Sequence, residues 1–150
     1  MKKINLLLLI LIFSIIAFFF IIVNQKFNSN SYVIINNHKF IVDVAKTNEQ
    51  KQLGLDIYNK LPIFKGMVFP FQTADKYSFW MKGMKFPIDI IYINNSRIVE
   101  IFTNLPFPKT STENPVTVTP KEQANYVLEI NAGLSQKYNF KKGDNVIIHL

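Results

Sequence analysis

One uninterrupted apolar run constrains this chain before anything else does. From Ile4 to Val23 no residue is charged, and only Asn5 and Ser14 are polar. A helix rises about 1.5 Å per residue, so the run covers about 30 Å, the thickness of a bilayer's hydrocarbon core. A cleaved export signal has a shorter apolar stretch, about 7 to 15 residues, ending in a small-x-small site. Here the run closes on Phe18-Phe19-Phe20-Ile21-Ile22-Val23-Asn24-Gln25, without such a site. Lys2 and Lys3 precede it, and positive charge is retained on the cytoplasmic side. The expectation is a signal anchor over residues 4–23, with residues 1–3 cytoplasmic and everything after the span outside the cytoplasmic (inner) membrane. The alternative, export followed by signal-peptide cleavage, leaves the domain on the same side.

The span also distorts the bulk composition. Of the residues in the whole chain, 49% are hydrophobic, but 19 of the first 23 belong to that class. The remaining 127 residues have an ordinary globular fraction and a length suited to one domain with a core. The net charge of +7 shrinks in the same way. Lys2, Lys3 and Lys26 flank the span, which leaves 14 basic and 10 acidic residues, a net +4, on the domain. The lysines are scattered and not interleaved with aromatics, so no nucleic-acid partner is expected. With Cys 0, catalytic thiols, disulfides and thiolate metal sites are excluded.

Residues 24–31 (NQKFNSNS) are polar and aperiodic and read as a tether, so the domain is expected over 32–150. Tyr32 to Ile35 and Lys39 to Ala45 are β-branched-rich runs separated by Asn36-Asn37-His38, a hairpin signal. Thr47 with Gln50 three residues on is a capping box, and Gly54 follows at C-terminal capping distance, so a short helix is predicted over Asn48 to Leu53. Further strands are predicted at Met67 to Phe69, Ser78 to Met81, Ile88 to Ile93, Arg97 to Phe102, Tyr126 to Ile130 and Asn145 to Leu150. Thr103 to Gln123 carries four prolines and reads as a long irregular excursion. The fold class is therefore mostly β (α+β). It is a compact, mainly antiparallel barrel-like or sandwich domain with one or two short helices, preceded by a transmembrane helix.

Several stretches carry a family resemblance: Gly54-Leu55, Gly66-Met67-Val68-Phe69, Phe79-Trp80-Met81-Lys82, Phe86-Pro87-Ile88-Asp89-Ile90, Val127-Leu128-Glu129-Ile130 with Ala132-Gly133, and Gly143-Asp144. In order and spacing they resemble domain of unknown function 192 (DUF192), a bacterial and archaeal family, over nearly all of Lys39 to Ile148. The resemblance implies a compact β-rich domain, often exported. It implies no activity, substrate or cofactor. Asp56 departs from the family's usual Met, and Gly83-Met84 stands where Asn-Thr is common.

Two constellations bear on chemistry. Reading Asn94-Asn95 as a two-residue turn pairs Ile93 with Ser96 and sets Asp89 opposite Glu100, two carboxylates among Ile91, Ile93 and Ile98. Such a pair calls for Lys82, a shared proton or a hard cation, unless Asp89 caps backbone N–H groups beside Pro87 and Glu100 reaches solvent. Glu129 shares a strand face with Val127, and a satisfied structural carboxylate is the expected reading. The other constellation is Met67, Trp80, Met81 and Met84. Thioethers bind Cu(I), but His38 and His149 lie far off in sequence and Met commonly fills gaps in cores. The primary expectation is a binding or accessory module in which Met67, Phe79, Trp80, Lys82, Asp89 and Glu100 meet a small ligand or partner segment. The alternatives are an enzyme drawing on Lys82, Asp89 and Glu129, or a copper carrier using the methionines and the Trp.

Overall fold

A computed structural model describes residues 31–150. The expected span over 4–23, its cytoplasmic flank and most of the tether lie outside these described residues. Among the described residues no helix is long and apolar enough to cross a membrane. The domain contains β1 (Tyr32–Ile35), β2 (His38–Val44), α1 (Asn48–Leu53), a 3-10 turn (Gly54–Ile57) and β3 (Lys65–Asp75). β4 (Phe79–Trp80), β5 (Ile88–Asn94), β6 (Arg97–Leu105), β7 (Thr117–Val118), β8 (Ala124–Asn131), α2 (Leu134–Lys137) and β9 (Val146–His149) follow. β4 and β7 form a small ribbon, and the other seven strands form one sheet in the order β6-β5-β8-β3-β2-β1-β9.

That sheet curls into a half-barrel. Its two outermost strands meet at one end, where Arg97 bridges Asn145 and the Ile98 N–H donates to the Asp144 carbonyl at 3.0 Å. All pairings are antiparallel except β2 with β3, which run parallel because α1 and the 3-10 turn carry the chain back between them. The first hairpin follows the sequence expectation: Asn36 and Asn37 both take positive φ, and Ile35 pairs with His38. The α1 capping box is also formed, with Thr47 Oγ1 accepting from the Gln50 N–H at 3.2 Å and Gln50 Oε1 accepting from the Thr47 N–H at 3.0 Å. Strand β3 outruns its expected bounds, but its ladder to β8 breaks after Pro70, where the strand loses a backbone donor.

The central strands are buried on both faces. Residues of β5 from Ile88 to Ile93 are all buried, and alternate side chains enter separate cores. Met67, Phe69, Ile90, Tyr92 and Val127 join one core, while Val68, Ile91, Ile93, Leu128 and Ile130 join the other. β3 and β8 run so close that a Cβ on Gly66 would stand 2.8 Å from the Glu129 carbonyl oxygen, which reserves that position for glycine.

The register expected for β5 and β6 is corrected here. The turn residues are Asn95 and Ser96, both at positive φ, so Asn94 pairs with Arg97. Irregularities between Tyr92 and Ile93 and between Ile88 and Ile90 then displace the ladder further. Glu100 lies opposite Tyr92, not Asp89, and accepts from the Lys121 N–H. Asp89 is fully buried and sealed by backbone donors: Oδ1 accepts from the N–H of Asn104 at 2.8 Å and of Gly133 at 3.0 Å, and Oδ2 from that of Ser135 at 2.8 Å. It thereby ties β5 to the end of β6 and to the start of α2. The positions of the second short helix and of β7 were not anticipated, since each element is shorter than any periodicity can signal.

Replacing one acceptor oxygen of Asp89 with an amide turns it toward a backbone donor in a sealed site. Asp89→Asn should therefore lower the unfolding free energy by about 2 to 4 kcal/mol, measured by urea titration. A loss below about 0.5 kcal/mol would show that these three bonds do not hold the two elements together.

Candidate functional site

A cleft of about 480 Å³ lies between α1 and the β3–β4 region. One side is α1 with Gly54, held by the capping box and by Lys51, whose Nζ donates to the Pro70 carbonyl at 2.7 Å. The other side is aromatic. Phe71 and Tyr77 stack at 3.6 Å, Phe79 packs edge-on against Phe69 at 4.9 Å, and Trp80 stands at the mouth with 48% of its surface exposed. Strand alternation explains the division, because Phe79 and Met81 point into the core and Trp80 points out. Two lysines border the cleft and both sit over its rings: Lys51 Nζ is 4.3 Å from the Phe71 centroid, and Lys82 Nζ is 5.3 Å from that of Trp80.

Glu129 forms part of the lining from the centre of the sheet. β8 carries it between Met67 of β3 and Ile90 of β5, on a face otherwise built of apolar side chains. It is 3% exposed, and its Oε2 has no hydrogen-bond partner. Burial pushes its pKa up from 4.5 to about 8, against a smaller opposing pull from the Leu55 backbone N–H. At neutral pH the group is therefore mostly a neutral acid with a proton to donate. Burial, reinforced by the nearby Glu129 and Glu100 carboxyls, also holds the phenol of Tyr92 well above its ordinary range, and that hydroxyl donates to the Tyr77 carbonyl at 2.9 Å. Gly54 closes the site over Glu129. Its φ of +54 suits glycine, and a Cβ there would stand 3.2 Å from Glu129 Oε2.

Five of the candidate site residues singled out in the sequence thus line one cleft: Phe79, Trp80, Lys82, Met84 and Glu129. Met67 is buried in the core beneath a neighbouring hollow lined by Asp43 and Tyr58, and Met81 and Met84 are buried too. Asp89 faces the opposite core from Glu129, so the two do not form an acid/base pair, and Glu100 lies outside the cleft. Glu129 also departs from the satisfied carboxylate expected of it. Lys51, Gly54, Phe71 and Tyr77 were not anticipated. Only Gly54, following a capped helix, carried a local sequence signal, and it pointed to a helix end. No group of three or more His, Cys, Asp or Glu side chains among the described residues is arranged to hold a metal ion.

A curled β-sheet domain with an aromatic cleft and a buried acid defines the class structurally, and the comparisons define its family. The DUF192 model, described as an uncharacterised ACR, matches residues 32–148, and the chain belongs to that family. Among solved structures, it resembles a protein of unknown function from Novosphingobium aromaticivorans DSM 12444, with TM-score 0.65 and 29% identity over 78% of this chain and 81% of that one. It also resembles a protein provisionally named a transcription regulator from Sinorhizobium meliloti 1021, with TM-score 0.68 and 25% identity over 79% and 91% of the two chains. Comparison with curated proteins finds no match.

The raised pKa of Glu129 has a direct consequence for stability. Between pH 4.5 and about 8 the folded carboxyl keeps a proton that the unfolded chain releases. Its contribution is therefore fully present below pH 4.5 and lost as pH rises through about 8, at up to roughly 1.4 kcal/mol per pH unit. Glu129→Gln should remove this decline, read as the difference between wild-type and variant urea midpoints at pH 5, 6.5 and 8. Parallel curves for the two proteins would show that Glu129 does not titrate in this window.

Proposed function

We propose that this DUF192 domain is a binding or accessory module, attached to the outer face of the cytoplasmic membrane by residues 4–23, that takes a small ligand in the cleft between α1 and Trp80. The observation that carries this reading is the orphaned Oε2 of Glu129 beside an aromatic cleft. A buried polar atom without a partner costs about 1 to 3 kcal/mol, and a ligand acceptor supplies the missing bond. The cleft's size and its aromatic lining with a few polar groups suit a small molecule. The exposed face of Trp80 offers a stacking surface at the mouth.

The other readings draw less support. An enzyme built on Asp89 is disfavoured because backbone donors occupy that carboxylate. Glu129 keeps a proton that acid catalysis could use, so turnover of a bound ligand is the outcome that would favour the enzyme. A copper carrier is disfavoured by the burial of Met67, Met81 and Met84 among core side chains.

Because the chain has Trp 1, its tryptophan emission reports on this cleft alone. Titrating the full-length protein in detergent with glucose, glucosamine, glucuronate and 4-hydroxybenzoate should give a saturable change in Trp80 emission with at least one of them. Phe79→Ala, which leaves the fluorophore in place, should weaken that response by about tenfold or more. The absence of any saturable response would remove the binding reading. The anchor has its own measurement. In cells, the protein should remain in membranes after carbonate extraction, and protease added to spheroplasts should degrade the domain. Protection from that protease would contradict the orientation.

A further inference from the structure

We infer that the cleft is selective for a ring compound bearing a carboxylate, with the ring against Trp80, the negative charge at the lysine-bordered rim, and a ring acceptor taking a hydrogen bond from Glu129. The inference rests on the binding reading above and adds the chemical class of the ligand. It is carried by the arrangement of charge around the cleft. The lining holds two ammonium groups, Lys51 and Lys82, and a single acid, Glu129, while the other polar side chains (Asn48, Gln52, Tyr77 and Ser78) are neutral groups. Burial keeps Glu129 largely protonated near neutral pH, so it does not cancel the lysines. The cleft is thus electropositive, and with its floor out of water the potential is little screened by solvent.

A cationic ligand is disfavoured on two grounds. Aromatic walls usually favour amines, but the two faces that would receive an ammonium, those of Phe71 and Trp80, already carry Lys51 and Lys82. An entering amine would have to displace one of these and would still meet the other. A carboxylate has the opposite experience. Each lysine ammonium has three donors, of which Lys51 spends one on the Pro70 carbonyl, and the stems are long enough to swing toward an anion. Glu129 sets the remaining requirement. As a neutral acid it donates, and Oε2 has nothing in the protein to donate to. A hydroxyl or carbonyl oxygen on the ring completes it. Sugar acids and aromatic acids share this chemistry, and the probes separate them.

The test uses the Trp80 emission of the full-length protein in detergent at pH 6.5, with glucuronate, 4-hydroxybenzoate, glucose and glucosamine as probes. Expected is saturable binding of glucuronate, 4-hydroxybenzoate or both, at least about tenfold tighter than either glucose or glucosamine, and weakening as salt rises. Preference for glucuronate identifies a sugar-acid site, and preference for 4-hydroxybenzoate an aromatic-acid site. The double variant Lys51→Gln/Lys82→Gln, which alters only groups bordering the cleft, should abolish the preference for the acids over glucose. Glu129→Gln keeps a donor at this position and should retain acid binding, whereas Glu129→Leu should lose about tenfold while its circular dichroism spectrum stays that of the wild type. Binding of glucose or glucosamine as tightly as the acids overturns this inference and leaves the binding reading standing. No response to any probe removes both.

Discussion

The structure depends on burying β3, β5 and β8 from both sides. Alternate side chains on these strands enter two separate apolar cores, so each strand contributes to both at once. Full burial of an aliphatic or aromatic side chain is worth about 1.5 to 3 kcal/mol, and these strands collect that gain on each face. The same arrangement leaves no neutral ground for a polar residue in the middle of the sheet. Every such residue must find partners within the protein or wait for one from outside.

Asp89 and Glu129 are the two outcomes of that rule. They lie on neighbouring strands, Asp89 beside Ile130, yet they project to opposite faces. Asp89 stands where β6 ends and α2 begins, and backbone N–H groups from both converge on it. Its burial is structural. Glu129 stands beneath Gly54 at the base of the cleft, receives little from the backbone, and retains a proton near neutral pH with Oε2 unpaired. One side chain closes the fold and the other leaves it chemically incomplete. That contrast assigns the cleft, and not the Asp89 neighbourhood, as the place to look for function.

Local features were legible wherever short-range chemistry controls them. Asn36-Asn37 adopts the positive φ of a tight hairpin, and the Thr47/Gln50 box caps α1 where it was expected. The F-W-M-K stretch alternates as a strand should, with Trp80 outward between buried Phe79 and Met81. The second hairpin was harder, because Asn94, Asn95 and Ser96 are all acceptable turn residues. A shift of one position, together with two ladder irregularities, moved Glu100 away from Asp89. Lys51, Phe71 and Tyr77 reach the cleft from separate elements, and no spacing rule relates residues brought together only by the curl of a sheet.

By itself the sequence determined the composition of the domain, most of its strands and its first helix, its family, and the expectation of an apolar anchor ahead of it. Those properties follow from hydrophobic period, turn chemistry and capping, which act over a few residues. The tertiary structure decided which carboxylate is satisfied. Whether a buried acid meets backbone N–H groups or is left without them depends on segments distant in the chain. For Glu129 they are α1 and Gly54 on one side and the aromatic wall of β3 and β4 on the other. Desolvation depends on everything surrounding a group, so the proton on Glu129 is a property of the fold and not of its neighbours in sequence.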